Sequence, residues 1–186
     1  MLDSIKNRRS VYPKSYNDTP VTHAQIMQLL EAAVCAPTHK RTEPWRFRVF
    51  VGAGLAQLGA FRADYYAANT PPDKHSPTKQ ENLRSNVARA GAVIAVVVAL
   101  SGEVPAIEEI CAVAAATQNM ALAAHSLGLG GFWSTGGGTF SPECATFLGL
   151  AAHEQCLGFF FVGNHNLPPA AAQRDEVATK TTWISS

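Results

Sequence analysis

The stretch Ala92-Val93-Ile94-Ala95-Val96-Val97-Val98-Ala99-Leu100 decides the fold. It is far too short to cross a bilayer about 30 Å thick as a helix. A strand with one face in water alternates apolar with polar residues, and this one does not, so it reads as a central strand covered on both faces. Helices must therefore flank a sheet. Leu157-Gly158-Phe159-Phe160-Phe161-Val162-Gly163 has the same character and reads as a second buried strand. Trp45 to Val51 alternates in part and is rich in β-formers, which gives a third.

The helices are legible around these strands. Leu2 to Arg9 forms a short first helix that ends before Val11-Tyr12-Pro13, because a residue preceding proline is driven out of the helical region. Thr22-His23-Ala24-Gln25 has the form of a capping box. Ile26, Leu29, Leu30, Ala33 and Val34 follow at helical spacing until Pro37 closes the element. Gly52-Ala53-Gly54 turns into a helix from about Leu55. Asn69 to Lys79, with Pro71, Pro72 and Pro77, reads as a surface loop suited to a mobile cover. Pro105 to Leu127 is a long alanine-rich helix ended by Gly128, either the spine of the core or a dimer seam. The glycine-rich segment from Gly128 to Gly138 reads as a turn, and a short helix follows near Ser141 to Leu148. The tail from Asn164, with Pro168, Pro169 and a run of alanines, reads as an arm that wraps a neighbour.

The 186 residues, 47% of them hydrophobic, suffice for one domain with a substantial core. A formal net charge of +1 provides no global field for nucleic acid or an anionic membrane. Charged residues make up 16%, against roughly 25% in typical soluble domains, which points to surface covered by a partner subunit. Cys35, Cys111, Cys144 and Cys156 are scattered without zinc-like spacing and read as reduced, mostly packed thiols. The N-terminus has no apolar signal region, so a cytoplasmic protein is expected.

Candidate chemistry gathers in three short segments: Arg8-Arg9-Ser10, then Ala36-Pro37-Thr38-His39 leading into Pro44-Trp45-Arg46-Phe47, then Gly130-Gly131-Phe132-Trp133-Ser134-Thr135-Gly136. Two cations and a hydroxyl suit a phosphate, since charge-assisted bonds are roughly twice as strong as neutral ones. Each segment alone also fits a solvated face or an ordinary turn. Neither a phosphate-binding G-x-x-x-x-G-K-[ST] nor a dinucleotide G-x-G-x-x-G is present, and no nucleophile elbow appears. His125 and Cys111 lie on an apolar helix and read as packing residues.

Taken in order, the three segments resemble the FMN-dependent nitroreductase family, and its small YdjA-like branch in particular. The resemblance implies an α+β fold: a three-layer α/β/α arrangement with a central mixed, largely antiparallel sheet, one domain over residues 1–186, and a homodimer with FMN at its interface. It implies that Arg8, Arg9 and Ser10 bind the phosphate, ribityl chain and pyrimidine edge. Cys35 and His39 would reach the flavin from the partner subunit, and Trp133, Ser134 and Thr135 would contact it. The expected reaction is ping-pong: hydride passes from NADH or NADPH to flavin N5, and a nitroaromatic, quinone or similar electrophile takes the electrons. Nucleic acid and membrane partners are not expected. Three departures stand out: Ser134 where close relatives carry arginine, Glu43 where glutamine is common, and a tail whose only basic residues are Arg174 and Lys180. The first leaves a non-catalytic flavin module on the same fold as an alternative. The apolar face of Pro105 to Leu127 leaves another, an interaction protein that merely dimerises through it.

Overall fold

The computed structural model describes residues 2–168 and 174–185. The alanine run and Pro169, expected in the wrapping arm, fall on 169–173 and lie outside the described residues. Four strands, β1 (Trp45–Phe50), β2 (Ala92–Ala99), β3 (Leu129–Ser134) and β4 (Glu154–Asn164), form one sheet in the order β1-β2-β4-β3. Every pairing within it is antiparallel. The parallel element of the expected mixed sheet is a single bridge from Ser10 to Gly131.

β2 is buried at every position, as its uniform composition requires. Ala92, Ile94, Val96 and Val98 join one core, with α2 (His23–Val34) and α5 (Ala106–Ser126). Val93 and Ala95 join a second core on the opposite face, under α3 (Ala53–Asn69), α4 (Pro77–Ala88) and α6 (Pro142–Leu148). β4 divides likewise, with Phe160 and Val162 in the first core and Phe159 and Phe161 in the second. The layers are therefore helix, sheet, helix.

The remaining short helix, α1 (Leu2–Asn7), stops two residues before the expected end. In α2 the capping box forms as expected: the Thr22 hydroxyl accepts from the Gln25 backbone N–H at 3.2 Å, and the Gln25 side-chain Oε1 accepts from the Thr22 backbone N–H at 2.9 Å. The expected loop from Asn69 to Lys79 is mostly helical. It begins at the end of α3, passes a short 3-10 turn at Pro72–Lys74, and ends inside α4. Pro77 starts that helix rather than breaking it, because a proline at the first helical position needs no N–H and Ser76 caps the turn through Lys79. The glycine segment corrects a second expectation: it is strand β3 as far as Ser134, held by β4 in register. Of the cysteines, Cys144 and Cys156 are buried, whereas Cys35 and Cys111 are exposed on this chain.

Candidate active site

The first and third sequence segments meet at the free edge of β3. After α1 the chain runs alongside that edge, and the Val11 amide donates to the Gly131 carbonyl at 3.1 Å. Tyr16 fastens the segment: its ring lies where a Cβ on Gly130 or Gly163 would stand, and its hydroxyl donates to the Phe161 carbonyl at 3.1 Å. Gly130 and Gly163 are register partners on β3 and β4, so two missing side chains make one seat for the ring. Burial raises the Tyr16 pKa above its ordinary value.

Two hollows open on opposite faces of β3, because successive strand residues point to opposite sides. One, of about 250 Å³, is lined by Arg8, Ser10, Thr117, Gln118 and Trp133. The other, of about 420 Å³, is lined by Lys14, Arg62, Asn82, Asn86, Arg89 and Ser134, with Tyr12 and Phe132 as its apolar part. No carboxylate lines either hollow among the described residues.

The Arg8 side of this arrangement is strongly cationic. Burial, then Arg174, then Arg9 lower the Arg8 pKa, so the tail brings a second guanidinium into its field. The Nε atoms of Arg8 and Arg9 are buried without hydrogen-bond partners. Like charges held together in this way are relieved by an anion, and a phosphate dianion suits the donors. In the larger hollow Arg62 is 4% exposed. Its Nη2 donates to Ser134 Oγ at 3.4 Å and to the Gly136 carbonyl at 3.2 Å, while Nε and Nη1 have no partner. Its guanidinium carbon stands 5.4 and 5.3 Å from the ring centroids of Phe159 and Phe161.

The structure gathers only some of the expected site residues. Arg8, Ser10 and Trp133 share the smaller hollow. Arg9 turns away: its Nη1 donates to the carbonyls of Lys6 and Arg8, both at 2.7 Å, which satisfies the end of α1. It lines a separate cleft with His125 and His165. Ser134 faces the larger hollow, and exposed Thr135 lies beyond the strand beside Tyr65. His39 pairs with Glu108 in the first turn of α5, and the Cys35 thiol donates to the Glu31 carbonyl at 3.3 Å. From Glu108 to Gln118 the helix advances about 15 Å, so within one chain His39 stands away from the Arg8 hollow, and Cys35 is not among the residues that line it.

Sequence reasoning missed Lys14, Arg62, Asn82 and Asn86. Arg62 did leave a signal, since it stands four residues after Leu58 on the apolar face of α3, where a charge is out of place. The asparagines lie on α4, a helix without an apolar stripe to announce it, and carry no local signal of their own.

Residues 5–164 match the model of the Nitroreductase family. The chain belongs to that family. YfhC of Bacillus subtilis, which bears the assigned name NAD(P)H nitroreductase, is 28% identical and aligns over 98% of this chain and 93% of its own length. YdjA of Escherichia coli, with the same assigned name, is 29% identical over 89% of this chain and 88% of its own. Among solved structures, a nitroreductase-like family protein from Bacillus cereus superposes with a TM-score of 0.86 at 25% identity, covering 100% of this chain and 96% of that one. A structure from Desulfovibrio desulfuricans, assigned as a nitroreductase in complex with FMN, has a TM-score of 0.73 at 26% identity, with coverage of 99% and 96%. Among the described residues, no helix is long and apolar enough to cross a membrane.

Proposed function

We propose that the chain is an FMN-dependent NAD(P)H oxidoreductase, one nitroreductase-like unit over residues 1–186 that works as a homodimer and reduces nitroaromatic, quinone or similar electrophiles. The observation that carries this reading is the cationic cluster beside the glycine strand: Arg8, with a buried unpartnered Nε, next to Ser10 and in the field of Arg174. That donor set fits a phosphate-bearing cofactor. FMN-bound relatives of the same fold support its identity.

Bound FMN would supply two-electron chemistry between NAD(P)H and the acceptor, in a ping-pong cycle. The side chains bind and orient. Arg8 and Ser10 would hold the phosphate end, while Lys14, Asn82 and Asn86 would donate to polar edges in the larger hollow. Trp133 and Phe132 would keep water away. Of the other residues expected at the cofactor, Arg9 would act by fixing the end of α1, Ser134 would face the larger hollow, and Thr135 would stand at its margin. Cys35 and His39 would reach the cofactor from the partner subunit, which is why a dimer belongs to this reading.

Reconstitution tests it. Purified protein incubated with FMN should retain the cofactor through gel filtration as a dimer, and anaerobic NADH or NADPH should bleach its visible absorbance. A protein that retains no flavin would sink the proposal, and a bound flavin that neither nicotinamide bleaches would favour the non-catalytic module.

A further inference from the structure

We infer that Arg62 is an electrostatic positioning residue for the cofactor, a fixed positive charge behind Ser134 that favours the negatively charged reduced flavin over the neutral oxidised one. The inference rests on the FMN reading above and adds a residue from α3, distant in sequence from the three segments that suggested that reading.

The geometry carries it. Arg62 is buried, lines the larger hollow, and leaves two of its nitrogens, Nε and Nη1, without partners. Its two hydrogen bonds go to neutral acceptors, the Ser134 hydroxyl and the Gly136 carbonyl. The described residues offer it no carboxylate within ion-pair distance, and the acidic groups in its field are the buried thiols of Cys144 and Cys156, which favour its charge less than burial opposes it. A buried charge without a carboxylate partner is costly and persists where something else offsets it. The Phe159 and Phe161 rings offset part of that cost. A ligand that becomes negative in the hollow would offset more. Burial lowers the Arg62 pKa to about 10, so the side chain remains charged at neutral pH.

A purely structural Arg62 would tie the Gly136 to Gly138 loop to the sheet without sensing the charge of a ligand. The midpoint potential of bound FMN separates the two roles. It is measured by anaerobic dye-coupled reduction of reconstituted wild-type protein and of Arg62→Gln, Arg62→Met and Arg62→Lys, each first checked for native near-UV circular dichroism. Either neutral variant should bind reduced FMN at least tenfold more weakly, relative to oxidised FMN, than wild type does. For a two-electron couple that is a fall of about 30 mV. Arg62→Lys should keep the wild-type ratio within about threefold. An unchanged potential in a folded neutral variant overturns the inference, and so does a lysine variant that falls as far as the neutral ones. Wild-type protein that takes up no FMN would overturn the functional reading as well, an outcome distinct from bound flavin with an indifferent Arg62.

Discussion

Arg62 Nη2 lies 3.4 Å from Ser134 Oγ across 72 positions of sequence. The contact delivers a guanidinium to the point where the sequence seemed to lack one, at an energetic cost that pH can reveal. The folded-state pKa of Arg62, about 10, lies below its ordinary value. The unfolded chain therefore holds the proton more tightly, and stability is reduced below pH 10 and recovers as the pH rises above it. In ligand-free protein, Arg62→Met should remove this penalty, and its effect on stability should become less favourable by about 1 kcal/mol between pH 8 and pH 11. Urea unfolding at the two pH values checks the difference.

Tyr16 produces the opposite slope. Its pKa is raised by burial above the ordinary 10.0, so the folded state keeps a proton that the unfolded state gives up above that pH. Its stabilisation is complete below pH 10 and declines beyond it. Tyr16→Phe should flatten the alkaline loss of stability while costing about 1 kcal/mol at pH 7 through the lost bond to Phe161. Thermal melts from pH 8 to pH 11 would show both effects.

Removal of the phosphate donors should be felt in cofactor affinity. Charge-assisted bonds contribute about 1.5–3 kcal/mol each, so Arg8→Ala should weaken FMN binding by roughly tenfold or more. Adding Ser10→Ala should weaken it further. Fluorescence titration of apoprotein measures both, and an unchanged affinity in the double variant would remove this pair from the site.

Much of this was readable from composition and spacing, and the unread part has physical causes. The uniform apolar run of β2 required two covered faces, and the two cores supply them. The capping box at Thr22 and the long α5 needed only local rules. Elsewhere a local signal has two meanings. Pro77 serves as a helix starter as readily as a loop residue, and Gly130 and Gly131 make room for Tyr16 and Phe160 in a strand as readily as they make a turn. The site was half legible for the same reason. Arg8, Ser10 and Trp133 lie in recognisable segments, whereas Lys14, Arg62 and Asn86 converge only through the packing of α3 and α4 on the sheet.

Cys35 and His39 supply a test of shared sites. His39 pairs with Glu108 at one end of α5, about 15 Å along the axis from Gln118 in the Arg8 hollow. If the partner subunit supplies it, Arg8→Ala and His39→Ala chains that are each weak alone should complement when co-expressed. The mixed dimer would then hold one intact site. FMN content of the doubly tagged mixed dimer should exceed that of either parent, and equal content would count against a shared site.

Gly158 controls the shape of the Trp133 side. It sits with φ at +147° where the pairing of β2 with β4 shifts between Val96 and Val97, and an added Cβ would stand 2.1 Å from the Trp133 indole nitrogen. Gly158→Ala should destabilise the protein by about 1–3 kcal/mol and shift the tryptophan emission, as the ring is forced out. Intrinsic fluorescence during chemical unfolding reads both quantities.

The back-to-back placement of Trp133 and Ser134 makes β3 a partition that sends one side chain into each hollow. Sliding this strand by a single residue against Phe159 and Phe160 would hand each side chain to the wrong face, because strand side chains repeat every two positions. The kink at Gly158 and the Tyr16 wedge therefore guard the register. Mutations remote from any ligand can silence such a protein by misaligning one short ribbon while leaving every binding group intact.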